Sequence, residues 1–225
     1  MIQRIANRVR RTRGRLGMRF GRIAKSRPLS TNWGFDRGQP IDRSFIERFL
    51  VTHSDDIRGH VLEIAEDLYS SKLGGSRITK LDILSLHGSP EATIVGDLID
   101  PATLTPAQFD CIILTQTFQF LFDLRAAVSN LHRALRSGGV LLLTAPAITP
   151  IDRGEWKDSW YWSFTEASIR RLLSESFDHV EVAAYGNLAA ATGFLHGAAV
   201  EDVGADKLEH YDPAYPMIVA ARAVA

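Results

Sequence analysis

Between Trp156 and Phe164 the chain reads WKDSWYWSF, which gathers Trp156, Trp160, Tyr161, Trp162 and Phe164 into one short segment. Aromatic faces stack on sugar rings and other flat acceptors, so the segment is a candidate cover for a bound small molecule. The alternative is an apolar plug over a sheet edge. Asp152, Arg153, Glu155 and Asp158 flank it and could meet ligand hydroxyls or solvent. A second concentration is PLSTNWGFDRGQPIDR, residues 28–43, where Trp33 and Phe35 sit among Asp36, Arg37, Asp42 and Arg43. Such aromatic residues suit an ordered loop better than a solvated linker. Trp33, Asp36, Arg37 and Arg43 are therefore candidates for a substrate lid whose arginines meet an anionic group. The alternative is a loop that pins the following helix, with Asp42 near its N-cap.

The seven histidines are scattered, and no pair has metal-ligand spacing, so no metal site is expected. His196, in GFLHGAA, is the candidate general base, with a purely structural histidine as the alternative. Cys111 is the single cysteine, which excludes an internal disulfide, and its apolar setting FDCIILT marks a core residue.

The elements that must position these residues alternate. HVLEIA, ITKLDIL, ATIVGDL, FDCIILTQT, VLLLTAP, HVEVAAYG and MIVAARAV read as seven strands. FDCIILTQT has the near-continuous apolar run of a strand covered on both faces. DLRAAVSNLHRALRSGG reads as a helix ended by Gly138–Gly139, and TEASIRRLLSES as a helix capped by Thr165. Strands joined by crossovers predict an α/β, Rossmann-like, doubly wound and mostly parallel seven-stranded sheet with helices on both faces. In such sheets ligands bind at the carboxyl ends of the strands, beside the switch point. That rule selects Glu63 to Tyr69, Asp82, Asp97, Thr115 with Gln116, and Ala145–Pro146. For the two aspartates the bland alternatives are a helix or strand-end cap at Asp82 and a turn cap at Asp97.

Apolar residues at 45% and charged residues at 23% describe an ordinary soluble chain, and no apolar run is long enough to span a bilayer. A cytoplasmic protein is the expectation. The net charge of zero hides a division: residues 1–27 hold ten Lys or Arg and no acid, leaving 16 basic against 26 acidic residues beyond them. Three segments follow: a basic arm over 1–27, an ordered loop and helix over 28–58, and an α/β domain over 59–225. Apolar residues interleaved in the arm suit an anionic membrane surface, peripheral to its inner face, or a protein partner; the alternative is a poorly ordered terminus, or a helix that packs on the acidic body or on a second subunit of a homodimer. The interleaved apolar residues favour lipid over nucleic acid, and no recognised nucleic-acid module follows.

VLEI, LD, GDL, FDCIILTQTFQFLFD and LHRALRSGGVLLLTAP, in this order and spacing, resemble the class I S-adenosylmethionine-dependent methyltransferases (methyltransferase type 11-like) over roughly residues 59–180. WYWSFTEASIRRLL is similar to a segment of their small-molecule members. NWGFDRGQPIDR with VLEIAEDLYSSKLGG looks similar to a bacterial branch associated with carbohydrate or glycan pathways. The resemblance implies S-adenosylmethionine as cofactor. Glu63 matches the acid of the family's E-x-G-x-G-x-G loop, whereas Ala65, Asp67 and Tyr69 stand at its glycine positions. By that match the Tyr69 ring would lie where the methionine part belongs, and Asp67 near its carboxylate. Asp82 would meet the ribose and Asp97 the adenine amino group, while Thr115 and Gln116 would flank the transferred methyl. Gly74–Gly75 would form either a displaced loop or the stop of a short helix. The implied function is methyl transfer to a small molecule, a sugar or glycan intermediate, with Trp33, Trp156, Trp160 and Trp162 on its substrate. The alternative is a fold that no longer binds the cofactor and serves as a binding or scaffold module, or as a non-methylating enzyme on a nucleotide-sugar.

Overall fold

The structure, a computed structural model, describes residues 26–225; the arm expected over 1–27 lies outside it except for Ser26 and Arg27. The strands are β1 Gly59–Ile64, β2 Ile78–Ser85, β3 Ile94–Val95, β4 Phe109–Thr115, β5 Leu135–Pro146, β6 His179–Tyr185 and β7 Ile218–Val224. They form one sheet in the order β3-β2-β1-β4-β5-β7-β6. The pairs among β1 to β5 are parallel, and β7 runs antiparallel to both β5 and β6. The strand order reverses between β1 and β4, which puts the switch point there.

Period-two alternation in the central strands builds two cores. Leu62, Ile112, Leu114, Leu141 and Leu143 face one side with the helices α3 Leu124–Ala134 and α4 Glu166–Leu173. Val61, Cys111, Ile113, Val140 and Leu142 face the other with α1 Ile41–Thr52 and α5 Leu188–Leu195. Leu62, Leu114, Leu131 and Leu143 are fully buried. Burial of such a side chain contributes about 1.5–3 kcal/mol, which is why the apolar runs specify this sheet. Two short helices, α2 Leu68–Leu73 and α6 Val200–Val203, complete the set.

Thr165 caps α4 through a reciprocal pair of bonds with Ser168. Other details differ from the sequence expectation. α3 ends at Ala134, and Gly138–Gly139 lie inside β5, where the register with β4 shifts. Gly138 has φ +77°, and a Cβ on Gly139 would come within 2.8 Å of the Arg136 carbonyl, so the pair serves a bulge and not a helix stop. Pro40 occupies the N-cap of α1, and Asp42 lies near it in the first turn, as expected. α5 has no counterpart in the sequence reading, because LAAATGFL carries almost no polar face to betray its period. Among the described residues no helix is long and apolar enough to cross a membrane.

Candidate active site

A cavity of about 490 Å³ opens at the carboxyl ends of β1, β2 and β4. At the exit of β1, Glu63 is 2% exposed and turns its carboxylate onto the start of α2. Its Oε1 accepts from the Tyr69 amide at 2.9 Å and its Oε2 from the Ser70 amide at 2.8 Å. Burial pushes its carboxyl above the ordinary range, against those hydrogen bonds. Ala65, which lines the cavity, has φ +74°, and its amide donates to the Leu84 carbonyl at 2.8 Å. The left-handed backbone that glycine adopts freely is thus kept, with a methyl group added at about 1–2 kcal/mol of strain.

The other two departures at the glycine positions do not obstruct the cleft. Asp67 is exposed, stands at the N-cap position of α2 with its carboxylate accepting from the Ser71 hydroxyl, and is not among the lining residues. The Tyr69 ring, expected in the methionine space, packs instead into the α1 side of the core at 2% exposure. Its hydroxyl accepts from Arg43 Nη1 at 3.0 Å, so the residue forms wall and support. Gly74 and Gly75 end α2 ahead of β2 and do not line the cavity, which leaves the helix-stop alternative standing.

Asp82 also lies elsewhere. It sits three residues before the end of β2 at 5% exposure, held by His60 Nε2 at 2.6 Å and Lys80 Nζ at 3.1 Å. Burial alone would raise its pKa, but hydrogen bonds from His60, Thr93 and Lys80 hold it below the usual carboxylate range. Ser85 at the end of the strand and Leu86 and His87 just beyond it line the cavity instead. Ser89 joins them with a buried hydroxyl that has no partner. Asp97 lines the cavity, with one oxygen accepting from the Ile99 amide at 3.0 Å.

At the exit of β4, Thr115 and Gln116 line the cavity; Gln116 has φ +48° and a buried Nε2 without a partner. Phe120 stands over them, 4.8 Å from Trp156 and 5.3 Å from Trp160 between ring centres. Asp152 accepts from the Gly154 and Trp156 amides at 2.9 and 2.8 Å, which fixes the loop carrying Trp156. Of the aromatic segment, Trp156 with its neighbour Ser159 lines the cleft.

Residues 59–143 match the family model described as a methyltransferase domain. The fold is that of the class I methyltransferases. The N-methyltransferase NodS from Bradyrhizobium japonicum WM9, solved with S-adenosyl-L-homocysteine, superposes with a TM-score of 0.52 at 17% identity, over 90% of this chain and 94% of that one. The [4+2]-cyclase SpnF gives a TM-score of 0.55 at 12% identity, over 88% of this chain and 86% of that one. Phosphoethanolamine N-methyltransferase 2 from Haemonchus contortus gives 0.49 at 14% identity over 74% of this chain. The chain spans 48% of that protein's length. No curated protein matches the chain by sequence.

Within this class I methyltransferase fold, the loop expected to act as a lid is mostly committed elsewhere. Arg37 pairs with Asp202 through two bonds of 2.8 and 2.7 Å, and Asp36 accepts from the Ser30 hydroxyl. The Leu29 and Ser30 amides donate to the His196 carbonyl, and Pro40 bridges to Ala199. Gly197 permits this approach, since a Cβ there would lie 2.1 Å from the Ser30 carbonyl. Trp33, with φ +48°, lines a second cavity of about 370 Å³ beside Arg153. Only Arg43 of the expected lid residues reaches the main cleft. His196 caps the end of α5 and does not line the cleft; His87 is the histidine that does. Trp160 backs Phe120, and Trp162 stands exposed outside, its Nε1 donating to the Leu121 carbonyl at 2.9 Å. Leu86, His87 and Phe120 escaped the sequence reading, although the strand-exit rule extended three residues past ITKLDIL would have reached His87. Among the described residues no cluster of three or more His, Cys, Asp or Glu could hold a metal.

Proposed function

We propose that the main cleft binds S-adenosylmethionine and that the protein transfers its methyl group to a small molecule, a sugar or glycan intermediate. The observation that carries this reading is the exit of β1. Buried Glu63 organises the start of α2, and Ala65 keeps the left-handed turn that opens the cavity. The residues present fit the cofactor. The cleft falls within the ordinary volume range of small-molecule sites, about 300–1,000 Å³, and the unpartnered Gln116 amide and Ser89 hydroxyl lie on its wall. Leu86 and Leu98 offer apolar faces to the base and Asp97 an acceptor, while Glu66 offers a carboxylate to the ammonium end.

When bound, the cofactor supplies a methyl group already activated on a sulfonium. What remains for the chain is alignment. Thr115, Gln116 and Thr117 border the space beside the β4 exit, and Phe120 with Trp156 stacks on the acceptor ring and excludes water. Of the lining residues, His87 carries the imidazole, the side-chain type that most often serves as a general base.

One observation favours the second reading, a repurposed cleft acting as a binding module or on a nucleotide-sugar. β2 ends without a carboxylate to hold ribose hydroxyls, and a cyclase shares the fold. Calorimetric titration with S-adenosylmethionine and S-adenosylhomocysteine decides between them. Micromolar binding supports methyl transfer; silence at millimolar ligand overturns it. For residues 1–27 the proposal is recruitment to an anionic membrane surface at the inner face, or to a protein, supported by their ten basic residues. Equal pelleting on anionic vesicles with and without them would remove the membrane arm of that reading.

A further inference from the structure

Arg43 presents an unanswered charge. It rises from the first turn of α1, is half-buried, and lines the cleft beside Ala65, Glu66 and Leu68. Its one hydrogen bond goes to the Tyr69 hydroxyl, and it sits 5.9 Å from the Phe35 ring centre. Among the described residues no carboxylate lies within ion-pair distance of it; Asp42 and Glu66 act on it only at longer range. A guanidinium has five donors in a planar fork, and withdrawing it from water without an acceptor is unfavourable. The fork matches a carboxylate, which takes two parallel hydrogen bonds from it. Glu66 on the same stretch of wall adds the opposite charge, so together they complement a zwitterion.

We infer that Arg43 is the anion subsite of this cleft, that it takes the α-carboxylate of the cofactor's amino-acid end, and that Tyr69 is the positioning residue that holds it there. The tyrosine at a glycine position thereby acquires a role: its backbone amide receives Glu63 and its hydroxyl receives Arg43. The inference rests on the cofactor reading above. It is tested by titrating S-adenosylhomocysteine and 5′-methylthioadenosine, which lacks the amino-acid end, into the full chain and its variants. Arg43→Gln should weaken S-adenosylhomocysteine by about 10- to 100-fold, the range of a charge-assisted pair. It should leave 5′-methylthioadenosine within about twofold, and Arg43→Lys should recover part of the loss. Tyr69→Phe should weaken S-adenosylhomocysteine by about threefold without touching 5′-methylthioadenosine. Equal losses for both ligands would mean a merely structural role, and an unchanged S-adenosylhomocysteine affinity in Arg43→Gln would place the carboxylate elsewhere. Either result overturns the inference and leaves the cofactor reading intact. Failure of the unaltered protein to bind either ligand removes both.

Discussion

The two ends of the sheet are built on opposite terms. Toward the amino ends the charges are answered. Asp110 accepts from the His60 amide and from Arg136, Asp82 is held by His60 and Lys80, and Arg222 grips Asp56 with bonds of 2.7 and 3.0 Å. At or beside the carboxyl ends lie the unanswered groups among the described residues: Asp42 Oδ1, Ser89 Oγ, Gln116 Nε2, Gln119 Oε1, Thr144 Oγ1 and Trp160 Nε1. Three of the four described non-glycine residues with positive φ, Trp33, Ala65 and Gln116, line the two cavities; Ala107 is the fourth. Buried groups left without partners and backbones held in strained wells are stabilised only by what surrounds them, and they gather where a ligand completes the structure. One end holds the fold together, and the other is poised for a ligand.

Substitutions can break that division. The largest effect belongs to Asp82→Ala, which strands the buried His60 and should lower unfolding free energy by about 1–3 kcal/mol, measured by urea denaturation. S-adenosylhomocysteine affinity should stay unchanged; a matching loss of affinity would return Asp82 to the cleft. Ala65→Gly works the other end. Relief of the left-handed strain should add about 1 kcal/mol of stability and leave ligand binding at least as tight. A loss of stability would show that Ala65 carries no strain.

Acidification should weaken the amino-end pairs made by Asp82 and Asp110. A carboxylate held below its ordinary pKa when folded contributes stability above its unfolded value, about 3.9, and loses it as pH falls toward the folded value. Asp82 and Asp110 both have folded pKa values below that value, each against the burial that would raise it. The acid limb of the stability curve should therefore flatten below about pH 4 in Asp82→Ala. The smallest effect is a null one. Burial pushes the Cys111 thiol far up, so native protein at pH 8 should resist a thiol reagent until global unfolding exposes it. Rapid labelling in the folded state would mean that the central sheet opens locally.

Much of the fold was legible because its causes are local. The alternation in FDCIILT and VLLLT sends successive side chains to two apolar cores, and Thr165 meets Ser168 three residues away. The site was legible only in outline. Glu63, Ala65, Asp97, Thr115, Gln116 and Trp156 do border the cleft, because strand exits in a parallel sheet converge at one edge. Asp82 was misplaced because the chain continues its strand through Leu84 and Ser85 before turning, and the aspartate's shortest hydrogen bond is with His60 on β1.

The sequence by itself determined the order of elements, the two-faced burial of the central strands and the edge at which a ligand must enter. These follow from side-chain period and from the connection rules. Only the tertiary structure decided that the Tyr69 ring turns into the core, that Arg37 is consumed by Asp202, and that Arg43 alone of the expected lid residues faces the cleft. Each of those outcomes depends on a partner 26 to 165 residues away, and no local pattern records which distant atom a long side chain will meet.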